Sequence, residues 1–353
     1  MRKVLLTPGP CMTSDTVRLA SALPDLNHRD PEFLTLVQET KSRLLSVYPD
    51  TQAGWHPYLL GGSGTLAVES MISSCVPPNQ SVLVLENGYY SGRIRDILKV
   101  HGITFQSIEH DWLSAWNFEL IEESLKQGCF AVLGTHNETT TGRLNDISRL
   151  GKLCHQYGAY CFIDAMSSFG ADPIDFTHID VVCASANKCL HGIPGVAFVL
   201  VKDGELRESL KDIAPRSYYM NLPMYEGDQP PLTPPVPALQ AFRQALREYP
   251  ASGASARFDD YMSKANFVRK ALLERGFQPA IPIDETSSTL TTVSLPEGHT
   301  YESWFDANRE AGFILYGCKG ELHNRFFQVS QMGETSLSDF EGWISAVDTI
   351  LGY

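Results

Sequence analysis

The sequence of 353 residues lacks any apolar run of the roughly 18 residues that a membrane-spanning helix requires. Basic residues are also few, because 28 lysines and arginines stand against 41 acidic residues and leave a formal net charge of −13. A surface of that sign repels phosphate backbones and anionic lipids, so neither nucleic acid nor a membrane is an expected partner. The apolar start of the chain reaches Thr7-Pro8-Gly9-Pro10 too soon for a secretory signal, which predicts a cytoplasmic protein.

The eight cysteines show no spacing that would indicate disulfides or a metal site. They are scattered, without a C-x-x-C pair or a Cys/His pattern of the kind that binds zinc. We therefore expect free, buried thiols and no metal ion.

Helical and β-strand patterns alternate along the first half of the chain. Helical periodicity is found in residues 33–47, 66–74, 92–101 and 147–157, and β-rich runs in residues 81–85, 131–134, 160–164 and 181–184. This alternation predicts an α/β fold with a mostly parallel sheet between helices. Ligands of such sheets gather at the carboxyl ends of the strands.

A proline-rich passage, residues 222–237, ends this alternation. A helical pattern at residues 238–249 follows, and then an amphipathic segment and three strand-like runs over residues 257–330. We expect a large domain over residues 1–249, including the N-terminal segment, and a smaller α+β domain over residues 250–353.

Lys188 and Asp164 form the most informative pair in the sequence. Lys188 lies in a connection between two buried strand patterns, and Asp164 ends the strand pattern before them. Most lysines are solvated and an Asp at a strand end often only caps a turn, but a lysine held beside apolar residues loses its proton more readily. Pyridoxal phosphate needs such an amine for its aldehyde and a carboxylate for its ring nitrogen. The pair therefore predicts a pyridoxal phosphate site.

Three further motifs fit the same site, although each also has an ordinary structural explanation. Gly61-Gly62-Ser63-Gly64-Thr65 leads into a helical pattern, so free N–H groups and two hydroxyls could hold a phosphate, or simply begin a helix. Tyr90 follows a strand pattern and could stack on a ring, or only pack. Thr139, after the next strand, could hydrogen-bond a ligand, or only cap a turn.

Six blocks of sequence together resemble the class V aminotransferases. They are Leu6-Thr7-Pro8-Gly9-Pro10, Gly62-Ser63-Gly64-Thr65, Asn87-Gly88-Tyr89-Tyr90, Glu138-Thr139-Thr140-Thr141-Gly142, Asp164-Ala165-Met166-Ser167-Ser168-Phe169-Gly170 and Ser185-Ala186-Asn187-Lys188-Cys189. The last two are typical of the branch that transfers the amino group of 2-aminoethylphosphonate to pyruvate. Residues 26–33 are typical of the wider class.

The resemblance implies a pyridoxal phosphate enzyme of fold type I, a homodimer with active sites shared between subunits. Lys188 would carry the cofactor and shuttle a proton, and Asp164 would pair with the ring nitrogen. The other cofactor ligands would be Ser63, Gly64, Thr65, Tyr90, Thr139, Asn187 and, from the second subunit, Thr233. The substrates would be a small amine and a 2-oxo acid, bound near Pro8, Gly9 and Arg29.

The sequence departs from the family at Gln328, where these enzymes carry an arginine that binds the acidic group of the substrate. A neutral amide cannot replace a guanidinium in a bidentate contact. Arg325 is a possible substitute, but its odd offset on a strand directs it to the opposite face. Arg29 and Arg216 are other possible anchors for an aminophosphonate.

Three hypotheses remain open at this stage. The first is an aminotransferase for a small aminophosphonate. The second is a lyase, or a transaminase for another small amine, in which case the loss of the arginine is expected. The third, a non-enzymatic protein that keeps the fold for binding or regulation, is the weakest because Lys188 and Asp164 are both present.

Overall fold

The chain folds into fourteen strands and eleven α-helices within residues 3–353, which the computed structural model describes. The strands are β1 (Val4–Leu5), β2 (Trp55–Gly62), β3 (Ser81–Glu86), β4 (Thr104–Glu109), β5 (Ala131–Thr135), β6 (Asn137–Glu138), β7 (Arg143–Leu144), β8 (Tyr160–Asp164), β9 (Val181–Ser185), β10 (Gly195–Lys202), β11 (Leu290–Ser294), β12 (Phe313–Ile314), β13 (Tyr316–Gly317) and β14 (Phe326–Ser330). The helices are α1 (Asp15–Ala20), α2 (Pro31–Leu45), α3 (Gly64–Cys75), α4 (Tyr89–Val100), α5 (Phe118–Leu125), α6 (Ile147–Gln156), α7 (Glu205–Ser209), α8 (Val236–Glu248), α9 (Ala254–Glu274), α10 (Tyr301–Glu310) and α11 (Leu337–Leu351). None of these helices is both long and apolar enough to cross a membrane.

Seven strands form the central sheet, in the order β2-β10-β9-β8-β5-β3-β4. Neighbours from β9 to β4 pair in parallel, whereas β10 is antiparallel to both β2 and β9. The predicted α/β fold with a mostly parallel sheet is therefore confirmed.

Both faces of the central sheet are buried, which explains its nearly continuous apolar strands. In β3, Leu83 and Leu85 pack into the apolar core on one face, and Val82 and Val84 into the core on the other. Strands buried on both faces lose the alternation of polar and apolar residues, as parallel sheets generally do.

A third apolar core is built around the antiparallel sheet β11-β14-β13 and the C-terminal helices. The N-terminal strand β1 pairs with β12, and Val4 and Leu6 pack into this third core. The chain then continues through Pro8 and Gly9 towards Lys188. The division of the chain at residue 250 stays a prediction.

Candidate active site

A cleft of about 930 Å³, open to solvent, lies at the carboxyl ends of the central strands. Thr135, Asp164 and Ser185, the last residues of β5, β8 and β9, all line it. The start of α3 and the first turn of α4 complete its wall. This is the edge at which parallel α/β sheets bind their ligands.

Lys188 enters the cleft from the turn that follows β9. Its side chain is half-buried, and Nζ donates a hydrogen bond to the carbonyl oxygen of Pro8. Gly9 is required beside it, because a Cβ there would lie 2.6 Å from Cδ and 2.8 Å from Nζ of Lys188, and its φ is +119°. Burial lowers the pKa of Lys188, and that favours the neutral amine, which is the nucleophilic form.

Asp164 presents a buried carboxylate to the same cleft. Only 6% of the residue is exposed, and Oδ1 accepts a hydrogen bond of 2.9 Å from the backbone N–H of Met166. Burial raises the pKa of Asp164 to about 6, although the Met166 N–H, Arg93 and Lys188 oppose the rise. No basic side chain of residues 3–353 lies within ion-pairing distance of it. The carboxylate thus lacks a cationic partner, which a protonated ring nitrogen would provide.

The unpaired charge of Asp164 predicts a gain in stability when it is removed. Because the carboxyl pKa is about 6 in the folded protein and 3.8 ordinarily, the cost of the charge is absent below about pH 4 and fully present above about pH 6. We expect Asp164→Asn to stabilise the cofactor-free protein at pH 7.5 by up to about 3 kcal/mol. The measurement is urea unfolding at pH 7.5 and at pH 4.

Asp175→Asn is the matched control for this stability measurement, because it is expected to change stability in the opposite direction. Hydrogen bonds from Thr177 lower the Asp175 pKa to about 2, so its charge stabilises the fold at neutral pH. A loss of stability in Asp164→Asn at pH 7.5 would contradict the account.

The start of α3, with its N-cap residue Ser63, provides an anion cradle at the cleft. Ser63, Gly64 and Thr65 line the cleft, and the Ser63 hydroxyl makes no capping hydrogen bond to the helix that follows. A Cβ at Gly64 would lie 2.3 Å from Sδ of Met166, so a larger residue there would displace the Met166 side chain. The first N–H groups of a helix have no intrahelical partner, and together with the hydroxyls they suit a phosphate.

The first turn of α4 adds an aromatic ring and a cation to the wall. The guanidinium carbon of Arg93 lies 4.7 Å from the centre of the Tyr90 ring, and its Nη1 donates to Oγ1 of Thr65 at 2.8 Å. Burial raises the pKa of Tyr90 well above its ordinary value, so the phenol stays neutral. Arg93 was not among the site residues predicted from the sequence, although its position one helical turn after Tyr90 places it on the same face of α4.

Thr139, which follows β6, and Asn187, which directly precedes Lys188, also line the cleft. The Thr139 hydroxyl lies 2.7 Å from that of Ser167, whose Oγ in turn donates to the carbonyl oxygen of Asn137 at 3.1 Å. Ser167 belongs to the turn after Asp164. This network ties β6 and the turn that follows it to the Asp164 turn.

Comparisons with known proteins show the family of the chain. The model of the family "Aminotransferase class-V" matches residues 61–303. The chain belongs to the class-V aminotransferase family. It is 33% identical to a 2-aminoethylphosphonate–pyruvate transaminase of Vibrio cholerae serotype O1 over 98% of this chain and 96% of that protein, and 30% identical to one of Salmonella schwarzengrund over 99% and 97%. The crystal structure of an alanine–glyoxylate aminotransferase from Nostoc sp. superposes with a TM-score of 0.92 at 25% identity, covering 99% of this chain and 96% of that one.

Class-V aminotransferases use pyridoxal phosphate, and the cleft meets the chemical requirements of that cofactor. It contains an anion cradle, a buried carboxylate without a cationic partner and a half-buried amine. These three features belong to separate segments of the sequence, yet they line one cleft.

The three arginines that were predicted to bind the substrate do not line the cleft. Arg29 and Arg325 are exposed, and the Arg325 guanidinium packs over the ring of Phe326. Arg216 donates to carbonyl oxygens of Ser73 and Val76 at the far end of α3. The roles predicted for these residues stay predictions.

Gln328 is buried in the aminotransferase and engaged with backbone groups. Its Nε2 donates to the carbonyl oxygens of Thr139 and Thr140 at 2.5 and 3.1 Å, and it lies 3.3 Å from Oγ1 of Thr292. The amide thus ties β14 to the Thr139 loop. The N–H groups of the side-chain amide are therefore already hydrogen-bonded within the protein.

Thr233 lies on the proline-rich passage, exposed and outside the cleft. It lines a separate, narrow pocket, in which Pro235 packs closely against Gly61: a Cβ at Gly61 would lie 2.7 Å from Cδ of the proline. Within one subunit, therefore, Thr233 does not reach Lys188.

Proposed function

We propose that this aminotransferase binds pyridoxal phosphate through Lys188 and Asp164 and transfers the amino group of a small aminophosphonate, similar to 2-aminoethylphosphonate, to pyruvate. The observation that carries the proposal is the meeting of amine, carboxylate and anion cradle in one cleft. The likeness to 2-aminoethylphosphonate–pyruvate transaminases over nearly the whole chain supports the choice of substrates.

Each residue of the cleft has a distinct task in this proposal. When bound, pyridoxal phosphate supplies an electron sink for the carbanion that forms when the substrate loses a proton. Lys188 Nζ would accept a proton from the carbon bearing the amino group, and burial lowers its pKa, which favours the unprotonated amine. Asp164 would pair with the protonated ring nitrogen, since the buried carboxylate has no other ion-pair partner among the described residues.

The other residues of the cleft have the task of binding and orienting the cofactor. Ser63, Gly64 and Thr65 would hold the phosphate of the cofactor, Tyr90 would stack on its ring, and Thr139 and Asn187 would hydrogen-bond to it. Thr233 reaches the cleft of a second subunit, since it is exposed on the proline-rich passage and cannot serve its own cleft. The active form is therefore a homodimer, which we place in the cytoplasm.

One observation favours a second candidate, in which the enzyme acts on another small amine by transamination or as a lyase. Gln328 offers no charge and its N–H groups are already bonded to the carbonyl oxygens of Thr139 and Thr140. An amine without a strongly acidic group would not need an arginine there.

A spectral titration distinguishes the two candidates. We expect the visible absorbance of the purified, cofactor-loaded enzyme to disappear on addition of 2-aminoethylphosphonate and to return on addition of pyruvate, because the amino group passes through the cofactor. Ethanolamine, with a hydroxyl in place of the phosphonate, is the matched control and should leave the band unchanged. A response to other amines but not to 2-aminoethylphosphonate would favour the second candidate.

A further inference from the structure

Arg93 is a partly buried cation without an acidic partner. Apart from Lys188, it is the only basic residue that lines the cleft in the described part of the chain, and it forms no ion pair there. Two residues further along α4, by contrast, Arg95 pairs with Glu86 and Asp96. A guanidinium left unpaired at a cleft wall is suited to an anion that arrives with a ligand.

The position of Arg93 indicates which anion it meets. Its Nη1 bonds to Oγ1 of Thr65 at 2.8 Å, and Thr65 is part of the anion cradle at the start of α3. The Arg93 guanidinium also packs on the face of the Tyr90 ring, with Cζ 4.7 Å from the ring centre, and this contact restricts its movement. An anion that bonds to the Thr65 hydroxyl therefore lies within reach of the guanidinium.

Charge balance leads to the same conclusion. The N-terminus of α3 provides about half of a positive charge, which is not enough for a phosphate dianion. No lysine or arginine occurs among Ser63, Gly64 and Thr65. We propose that Arg93 is the counter-charge of the cofactor phosphate and completes the anion cradle across the α3–α4 gap. This inference rests on the proposed cofactor but not on the proposed amino donor.

The test compares two ligands that differ only in the phosphate. Cofactor-free protein is titrated with pyridoxal phosphate and with pyridoxal, and the dissociation constants are read from absorbance and tryptophan fluorescence. In Arg93→Gln we expect the constant for pyridoxal phosphate to rise about 10- to 100-fold, the effect of losing one hydrogen bond to a charged group. The constant for pyridoxal should change less than about 2-fold, since that ligand lacks the charge.

Two further variants sharpen the result. Arg93→Lys keeps the charge without the planar fork, so it should recover part of the affinity for pyridoxal phosphate. Arg95→Gln, on the same helix but outside the cleft, should bind both ligands as the parent does. Thermal unfolding of each cofactor-free variant checks that the fold is intact.

Several outcomes would overturn the inference. An equal rise in the dissociation constants of pyridoxal phosphate and pyridoxal would mean that Arg93 acts on the cofactor ring, by positioning Tyr90, and not on the phosphate. Unchanged constants with a raised KM for the amino donor would assign it to the substrate. Failure of the spectral titration with 2-aminoethylphosphonate, by contrast, would leave this result standing, because no donor is used.

Discussion

Replacing Lys188 with alanine is expected to lower kcat for amino transfer by about 10⁴-fold, the upper end of the range for loss of a proton-transferring group. The large effect follows from the composition of the cleft, in which Lys188 provides the only primary amine from the described residues. Stopped-flow absorbance with the amino donor measures the proton-transfer step directly.

The control for this variant is Lys152→Ala, which removes an exposed lysine from α6 and should retain full activity. Addition of a small primary amine to Lys188→Ala should restore part of the activity if the fold is intact and only the base is missing. Activity within about 10-fold of the parent would show that another group transfers the proton.

Replacing Asp164 with alanine is expected to lower kcat by about 10²- to 5 × 10³-fold, because removing one partner of a buried ion pair typically costs about 3–5 kcal/mol. Asp164→Glu, which keeps the charge, should lose less. The same carboxylate that destabilises the cofactor-free protein would thus be indispensable for turnover, a conflict between stability and activity that is common at active sites. Steady-state kinetics under saturating cofactor measures the effect.

Asp172→Asn is the matched control for the kinetic experiment. Asp172 is fully buried, burial also raises its pKa to about 6, and it accepts a backbone hydrogen bond from the Ser288 N–H, but it lies outside the cleft. We expect kcat to be unchanged in Asp172→Asn. A loss of activity equal to that of Asp164→Ala would mean that buried carboxylates matter here only for folding.

The central strands were predictable because burial on both faces leaves a simple apolar signal. Residues 160–164, for example, were predicted as a strand with the bounds that β8 has. The reversal of β10 was not predicted, although the signal was present. Residues 186–194 are too few for the crossover that a parallel strand requires, so the strand that follows β9 must turn back.

Contacts between distant segments were not predictable from local patterns. The pairing of β1 with β12 joins Val4 to Phe313, and nothing in either short segment indicates the other. The same holds for Gln328. The sequence shows an amide at the position of the family's arginine, but it does not indicate that this amide donates to the Thr139 and Thr140 carbonyl oxygens. Sequence periodicity fixes which face a residue occupies, not which partner it meets.

Arg93 is an intermediate case. Helical spacing from Tyr90 places it on the cleft side of α4, so the sequence could have indicated a cation there. Its bond to Thr65, however, depends on how α3 and α4 approach each other. That distance is set by the packing of apolar residues such as Val68 and Ile94 in the core between these helices and the sheet.

Chemical trapping of the cofactor gives the most direct test of the attachment site. Borohydride reduction of the loaded enzyme, followed by proteolysis and mass spectrometry, locates the lysine that carries the reduced ring. The modification is expected on the peptide containing residue 188 and on no other. A modified lysine anywhere else, or no stable modification in a protein that transfers amino groups, would contradict the account.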